Sequence, residues 1–133
     1  MIIKKENPPN LELILLSDLK PNKDTTFCYG STIYNPSGKE LTADIEHHEN
    51  IHAKQMLDNV DGWWYAYITN KDFRLSQELE AYCQQYKFAK EHVKDKRLLA
   101  WALEKMALAL SGPEYGNLIS YGAAESKIRN YHG

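Results

Sequence analysis

His48-Glu49-Asn50-Ile51-His52 sets two imidazoles four residues apart in a segment whose apolar residues recur at helical spacing. On an α-helix such residues lie about 40° apart around the axis and one turn along it, so both rings can close on one metal ion. Glu49 stands on the flank of that face, where a carboxylate can reach a water on the metal without ligating it, which makes it the candidate general base. A metal that activates water keeps one position open and needs a third protein ligand. Gln77-Glu78-Leu79-Glu80-Ala81-Tyr82 offers two carboxylates on a later helix, with Ala81 small enough for close approach. Glu78 and Glu80 point to different faces, so only one of them can serve. Two histidines and a carboxylate suit zinc best, while manganese, iron and cobalt also accept such a set.

These residues need helices to hold them. The motif helix starts near Thr42 or Asp44, either a good cap, and runs through Ile45, His48, Ile51, His52, Gln55 and Met56 until Asp58-Asn59-Val60-Asp61-Gly62 ends it. The aromatic stretch Trp63-Trp64-Tyr65-Ala66-Tyr67-Ile68 is helical or irregular and is expected to close a core rather than form a substrate subsite. A second helix is predicted over about 73–93, and a fourth, shorter one over 117–130. The third, over 98–110, is apolar on most sides and is expected to be central, closed by Ser111-Gly112-Pro113. Upstream, residues 11–16 form a short apolar run, and residues 25–34 are rich in β-branched and aromatic side chains between turn-forming segments. The expected fold class is therefore α+β: a short N-terminal β-sheet of two or three strands, then three or four helices, in one domain over 1–133.

The chain of 133 residues has a net charge of -2, 43% hydrophobic and 26% charged residues, the composition of a globular domain. Its lysines are scattered rather than striped, which argues against a nucleic-acid partner. No targeting segment or membrane-spanning stretch is evident, so the expected location is cytoplasmic, with no membrane partner. Cys28 and Cys83 are expected as two free, buried thiols. His47 points about 100° away from His48 and is expected at the surface or behind a ligand.

The order of these motifs resembles the small gluzincin-type metallopeptidases, including minimal zincin-like proteins of bacteria and phages. There, a strand of pattern Gly-x-x-Ile-Tyr precedes a helix with H-E-x-x-H-x-x-Q and a helix with E-x-E-A-Tyr or E-x-x-A-Asp. Here Gly30-Ser31-Thr32-Ile33-Tyr34, His48 to His52 with Gln55, and Glu78-Leu79-Glu80-Ala81-Tyr82 match, over roughly residues 25–90. The resemblance implies zinc held by His48, His52 and Glu78, with Glu80 in reserve, and Glu49 as base in peptide-bond hydrolysis. It implies a peptide or protein substrate lying along Gly30, Ser31, Thr32 and Ile33 as a strand edge. Tyr82 stands where relatives carry an aspartate, so Asp44, Glu46 or Glu80 is expected to orient a histidine. Tyr115 and Tyr121 are the oxyanion candidates, beside His92 and His132, which otherwise read as solvent-facing. The alternative is an inactive zincin-fold binding or structural module, for instance one associated with a phage virion.

Overall fold

The computed structural model describes residues 1–133. The β-rich stretch after residue 25 folds as a hairpin: β2 (Phe27–Tyr29) and β3 (Thr32–Tyr34) pair antiparallel, Tyr29 opposite Thr32, around the turn Gly30-Ser31. Gly30 takes φ +65°, the left-handed conformation that two-residue hairpin turns require and glycine adopts without strain. A third strand, β1 (Ile2–Lys4), adds parallel to the other side of β3, giving the order β1-β3-β2. β3 is thus the central strand, and its Ile33 is fully buried.

The apolar run expected as a strand is instead helix α1 (Leu11–Leu16). Six residues, five of them apolar, carry no period that separates strand from helix, and leucine and glutamate are good helix formers. α1 buries only Ile14, while Leu13, Leu15 and Leu16 stay exposed. β1 replaces it in the sheet although all three of its residues are exposed, because β3 offers it a free row of backbone partners.

α2 (Ala43–Met56) carries the motif, and α3 (Val60–Thr69) begins inside the stretch expected as a turn, with the Asn59 side chain accepting from the Gly62 N–H at 3.2 Å. α4 (Lys71–His92) is capped by Asn70, which accepts from the Phe73 N–H at 3.0 Å. α5 (Lys96–Ser111) is capped by Asp95, and α6 (Tyr121–Arg129) by Ser120. A 3-10 turn, Pro113–Tyr115, links them. Six helices stand where three or four were expected, α1 and α3 being the additions.

α5 is not central. It buries Leu103, Met106, Ala107 and Leu110 against α4 and α6 but leaves Leu98, Trp101 and Leu108 more than half exposed. Its apolar residues exceed the width of its buried stripe, which sequence composition alone cannot reveal.

Two apolar clusters result. One gathers Ile14, Leu19, Phe27, Met56, Trp63 and Trp64 under the sheet and α3; the other gathers Tyr82, Leu103, Met106, Leu110, Ala124 and Ile128 among α4, α5 and α6. Each fully buried aliphatic side chain contributes about 1.5–3 kcal/mol. Tyr115 packs against both clusters. Arg74, with no exposed surface, ties the parts together: its guanidinium donates to the carbonyls of Tyr67 (2.8 Å), Ile68 (2.9 Å) and Tyr115 (3.0 Å) and to Asp18. Gly116 takes φ +90° beside it, and a Cβ there would lie 2.9 Å from an Asp18 carboxylate oxygen. Cys28 and Cys83 are free and buried, and burial pushes both thiols toward the protonated form. No helix is long and apolar enough to cross a membrane.

Candidate metal centre

α2 and α4 run antiparallel, so that Asp44 near the start of α2 meets Gln85 of α4, while Gln55 near its end meets Gln77. Between these ends, His48 and His52 of α2 face Glu78 of α4. The ring nitrogens His48 Nε2 and His52 Nε2 are 3.1 Å apart; Glu78 Oε1 is 3.2 Å from the first and Oε2 is 3.1 Å from the second. All three residues are at most 5% exposed. They form a group whose ligand atoms converge closely enough to hold a metal ion.

The surrounding hydrogen bonds decide which imidazole nitrogens face inward. Gln85 donates through its amide nitrogen to Asp44 (2.7 Å), so its oxygen is the acceptor for His48 Nδ1 at 3.0 Å. Gln55 likewise donates to the Gln77 carbonyl (3.0 Å) and Glu80 (2.7 Å) and turns its oxygen to His52 Nδ1 at 2.7 Å. Each histidine therefore holds a proton on Nδ1 and turns Nε2, the nitrogen left for a ligating lone pair, toward the other ring and the Glu78 carboxylate. Lone pairs at that separation repel unless a proton or a cation lies among them.

Burial and charge act oppositely on these groups. Burial drives His52 toward neutrality, but Glu78 outweighs it and raises His52 from 6.5 to about 9. Burial likewise pushes Glu78 up, yet the two histidines hold it well below the usual carboxylate range. Both responses have one cause, the attraction between the Glu78 carboxylate and a protonated imidazole. Glu49 differs: burial raises its pKa despite the nearby histidines. Its Oε1 accepts a long 3.4 Å hydrogen bond from Thr26, while the buried Oε2, like Glu78 Oε1, has no hydrogen-bond partner.

Aromatic rings complete the walls. The Tyr67 hydroxyl donates to Glu78 at 2.6 Å, and Trp63 stacks on Tyr67 while meeting His52 edge-on. Tyr82 stands edge-on to His48, its hydroxyl 2.8 Å from that of Tyr115. The pocket they form measures about 50 Å³ and is lined by His48, Glu49, His52, Glu78, Tyr67 and Tyr115 among others. That volume suits an ion with a water or two, since a single water needs roughly 10–15 Å³. His48 and Glu49 also border an outer cleft of about 410 Å³ between Asn22, Thr25, Lys105 and Glu114.

Glu78 joins the histidines and Glu80 does not: Glu80 is exposed and meets the centre only through Gln55. Asp44 and Glu80 each reach a histidine through a glutamine amide, in place of the direct carboxylate contact expected; Glu46 makes none. The substrate edge is misplaced in the sequence expectation. Gly30 and Ser31 are the hairpin turn, while Thr32 and Ile33 lie in β3, whose backbone is engaged by strands on both sides. The free edges belong to β1 and β2, and on β2 the Cys28 carbonyl already accepts from the Trp64 indole at 3.1 Å. Tyr115 lines the room; Tyr121 is exposed on α6 and lines neither cavity. His92 is exposed and bonded to the Phe88 carbonyl, His132 is exposed, and His47 stacks on Phe88 away from the room.

Gln85, Tyr67, Thr26 and Glu114 were not anticipated. Gln85 had a signal, since Glu78, Tyr82 and Gln85 recur at four- and seven-residue spacing on one helical face; the others had none. No protein-family model matches the chain, and no curated protein or solved structure does either, so the chemistry of the site rests on its own residues.

Proposed function

We propose that this chain is a zinc-dependent peptidase with a reduced, gluzincin-like form of the zincin fold. The observation that carries the proposal is the convergence of two Nε2 lone pairs and a carboxylate at 3.1–3.2 Å beside the unpaired Oε2 of Glu49. The donor set of two imidazole nitrogens and a carboxylate oxygen, all within 4.8 Å of one another, is one that zinc accepts. His48, His52 and Glu78 would hold the ion. Zinc bound there supplies Lewis acidity, polarising a peptide carbonyl and bringing the pKa of water to about 7.

The chain's own groups do the rest. Glu49 Oε2 takes the proton of the attacking water and returns it to the leaving amine, while the Thr26 hydroxyl occupies Oε1. Burial raises Glu49 toward neutrality, where a carboxyl both accepts and releases a proton readily. Tyr115 is the donor to the developing oxyanion; burial keeps its hydroxyl protonated, and Tyr82 orients it. Tyr67 holds Glu78 in its ligating position.

One observation favours a non-catalytic metal module instead: the pocket at the cluster, about 50 Å³, is small for a peptide, so a substrate would lie largely in the outer cleft. The test is elemental analysis of purified protein together with a peptide-hydrolysis assay. Near one zinc per chain, lost in His48→Ala and Glu78→Ala, with hydrolysis abolished in a zinc-replete Glu49→Gln, supports the peptidase. Zinc binding without hydrolysis of any peptide supports the module, and a wild type that takes up no zinc rejects both.

A further inference from the structure

Glu114 is a carboxylate for which the proposed chemistry has no use. It sits in the 3-10 turn beside Tyr115 and lines both the inner room and the outer cleft, with His48, Glu49 and Thr25. Its Oε2 accepts from the Thr25 hydroxyl; its Oε1 takes no hydrogen bond from the chain. None of the ion pairs of the fold includes it. Half-buried carboxylates are ordinarily matched by a cation or by several N–H donors, and Glu114 has neither. Lys105, the basic residue of the cleft, leans over the Trp101 ring at 5.1 Å.

The placement is specific. Thr25 binds Glu114 and the next residue, Thr26, binds Glu49, so one short segment tethers both carboxylates. One has its unpaired oxygen inside the room, the other at the mouth. A substrate whose carbonyl reaches His48 and Glu49 from the cleft brings its neighbouring atoms past Glu114.

We infer that Glu114 is a specificity-determining residue whose carboxylate receives a primary ammonium group of the substrate at the mouth of the metal pocket. The inference rests on the proposed peptidase function and names its substrate class: peptides with an ammonium group close to the bond cleaved. That group is either a free α-amine or a lysine-like side chain.

The test uses the zinc-loaded full chain and three metal-binding hydroxamates, measured by titration calorimetry. These are leucine hydroxamate, the same molecule without its amine, and 6-aminohexanoyl hydroxamate. The buffer is held at about pH 6.5, below the usual α-amino pKa of about 7.7–8.0. An amine-bearing ligand should bind at least about tenfold tighter than the amine-free one, as expected for a charge-assisted contact. Preference for leucine hydroxamate identifies the α-amine, and preference for the aminohexanoyl compound identifies the side-chain amine. In Glu114→Gln the ratio should fall toward one, whereas Glu114→Asp should retain part of it. Because each ratio compares ligands on one protein, partial loss of metal or fold does not imitate the effect. Equal binding of all three by the wild type, or a preference that survives in Glu114→Gln, overturns this inference alone. Failure of every hydroxamate to bind overturns the peptidase proposal beneath it.

Discussion

Replacing Gln85 by alanine tests the claim that a glutamine relay, and not the histidine by itself, sets the metal affinity. Gln85 is 6% exposed, accepts from His48 Nδ1 at 3.0 Å and donates to Asp44 at 2.7 Å. Truncation removes both bonds. His48 is then free to carry its proton on Nε2, the nitrogen that must be bare for ligation, and to rotate away from Glu78. Loss of such a supporting contact typically weakens metal binding 10–100-fold, about 1.4–2.7 kcal/mol. The assay is competition for zinc against a chromophoric chelator at fixed pH and ionic strength. Gln84→Ala is the control, because Gln84 donates at 2.8 Å to Tyr131 rather than toward the centre. Melting of each metal-free variant separates affinity from folding, since an orphaned buried donor alone costs about 1–3 kcal/mol. Gln55→Ala should lose less, because Gln55 is half-buried and water can take its place on His52. A Gln85→Ala affinity within twofold of the wild type would refute the relay.

Other outcomes follow from the same geometry. Tyr67→Phe removes the 2.6 Å hydrogen bond to Glu78 and should weaken zinc about tenfold in the same competition assay while the stacked ring stays in place. In the metal-free protein His52 titrates near 9 instead of 6.5. The stability this provides is fully present below pH 6.5 and disappears as pH rises through 9, so the melting temperature of chelator-treated protein should fall across that interval. Zinc should raise the melting temperature with increasing concentration. Gly116→Ala forces a side chain into φ +90° against Asp18 and Arg74 and should destabilise the fold by about 1–3 kcal/mol, read by denaturant unfolding.

Local spacing made part of this protein legible. The four-residue interval from His48 to His52, the flanking Glu49, and the periodic α4 with its carboxylates follow from helix geometry, which depends on neighbours along the chain. The α+β class was equally visible, since the change from turn-bounded β-branched segments to helical periods is written in order along the chain. The caps Asn59 and Ser120 went unread, although they too act within three residues.

What tertiary structure decided has a different physical origin. Glu78 rather than Glu80 faces the histidines because the rotation of α4 against α2 is set by which side chains pack, not by either helix alone. β3 became the centre of the sheet because β1 pairs along its other side, which leaves β1 and β2 as the edges, with the Cys28 carbonyl of β2 taken by Trp64. α5 resolved into a surface helix because only one of its apolar stripes found partners. Tyr115 reached the pocket at the His48–His52–Glu78 cluster and Tyr121 did not, because Arg74 grips the Tyr115 carbonyl and Gly116 lets that turn approach. Spacing along one helix is determined by bonds within a few residues. Which faces meet is determined by burial summed over the whole chain, and the ligands of α2 and α4 converge only through that sum.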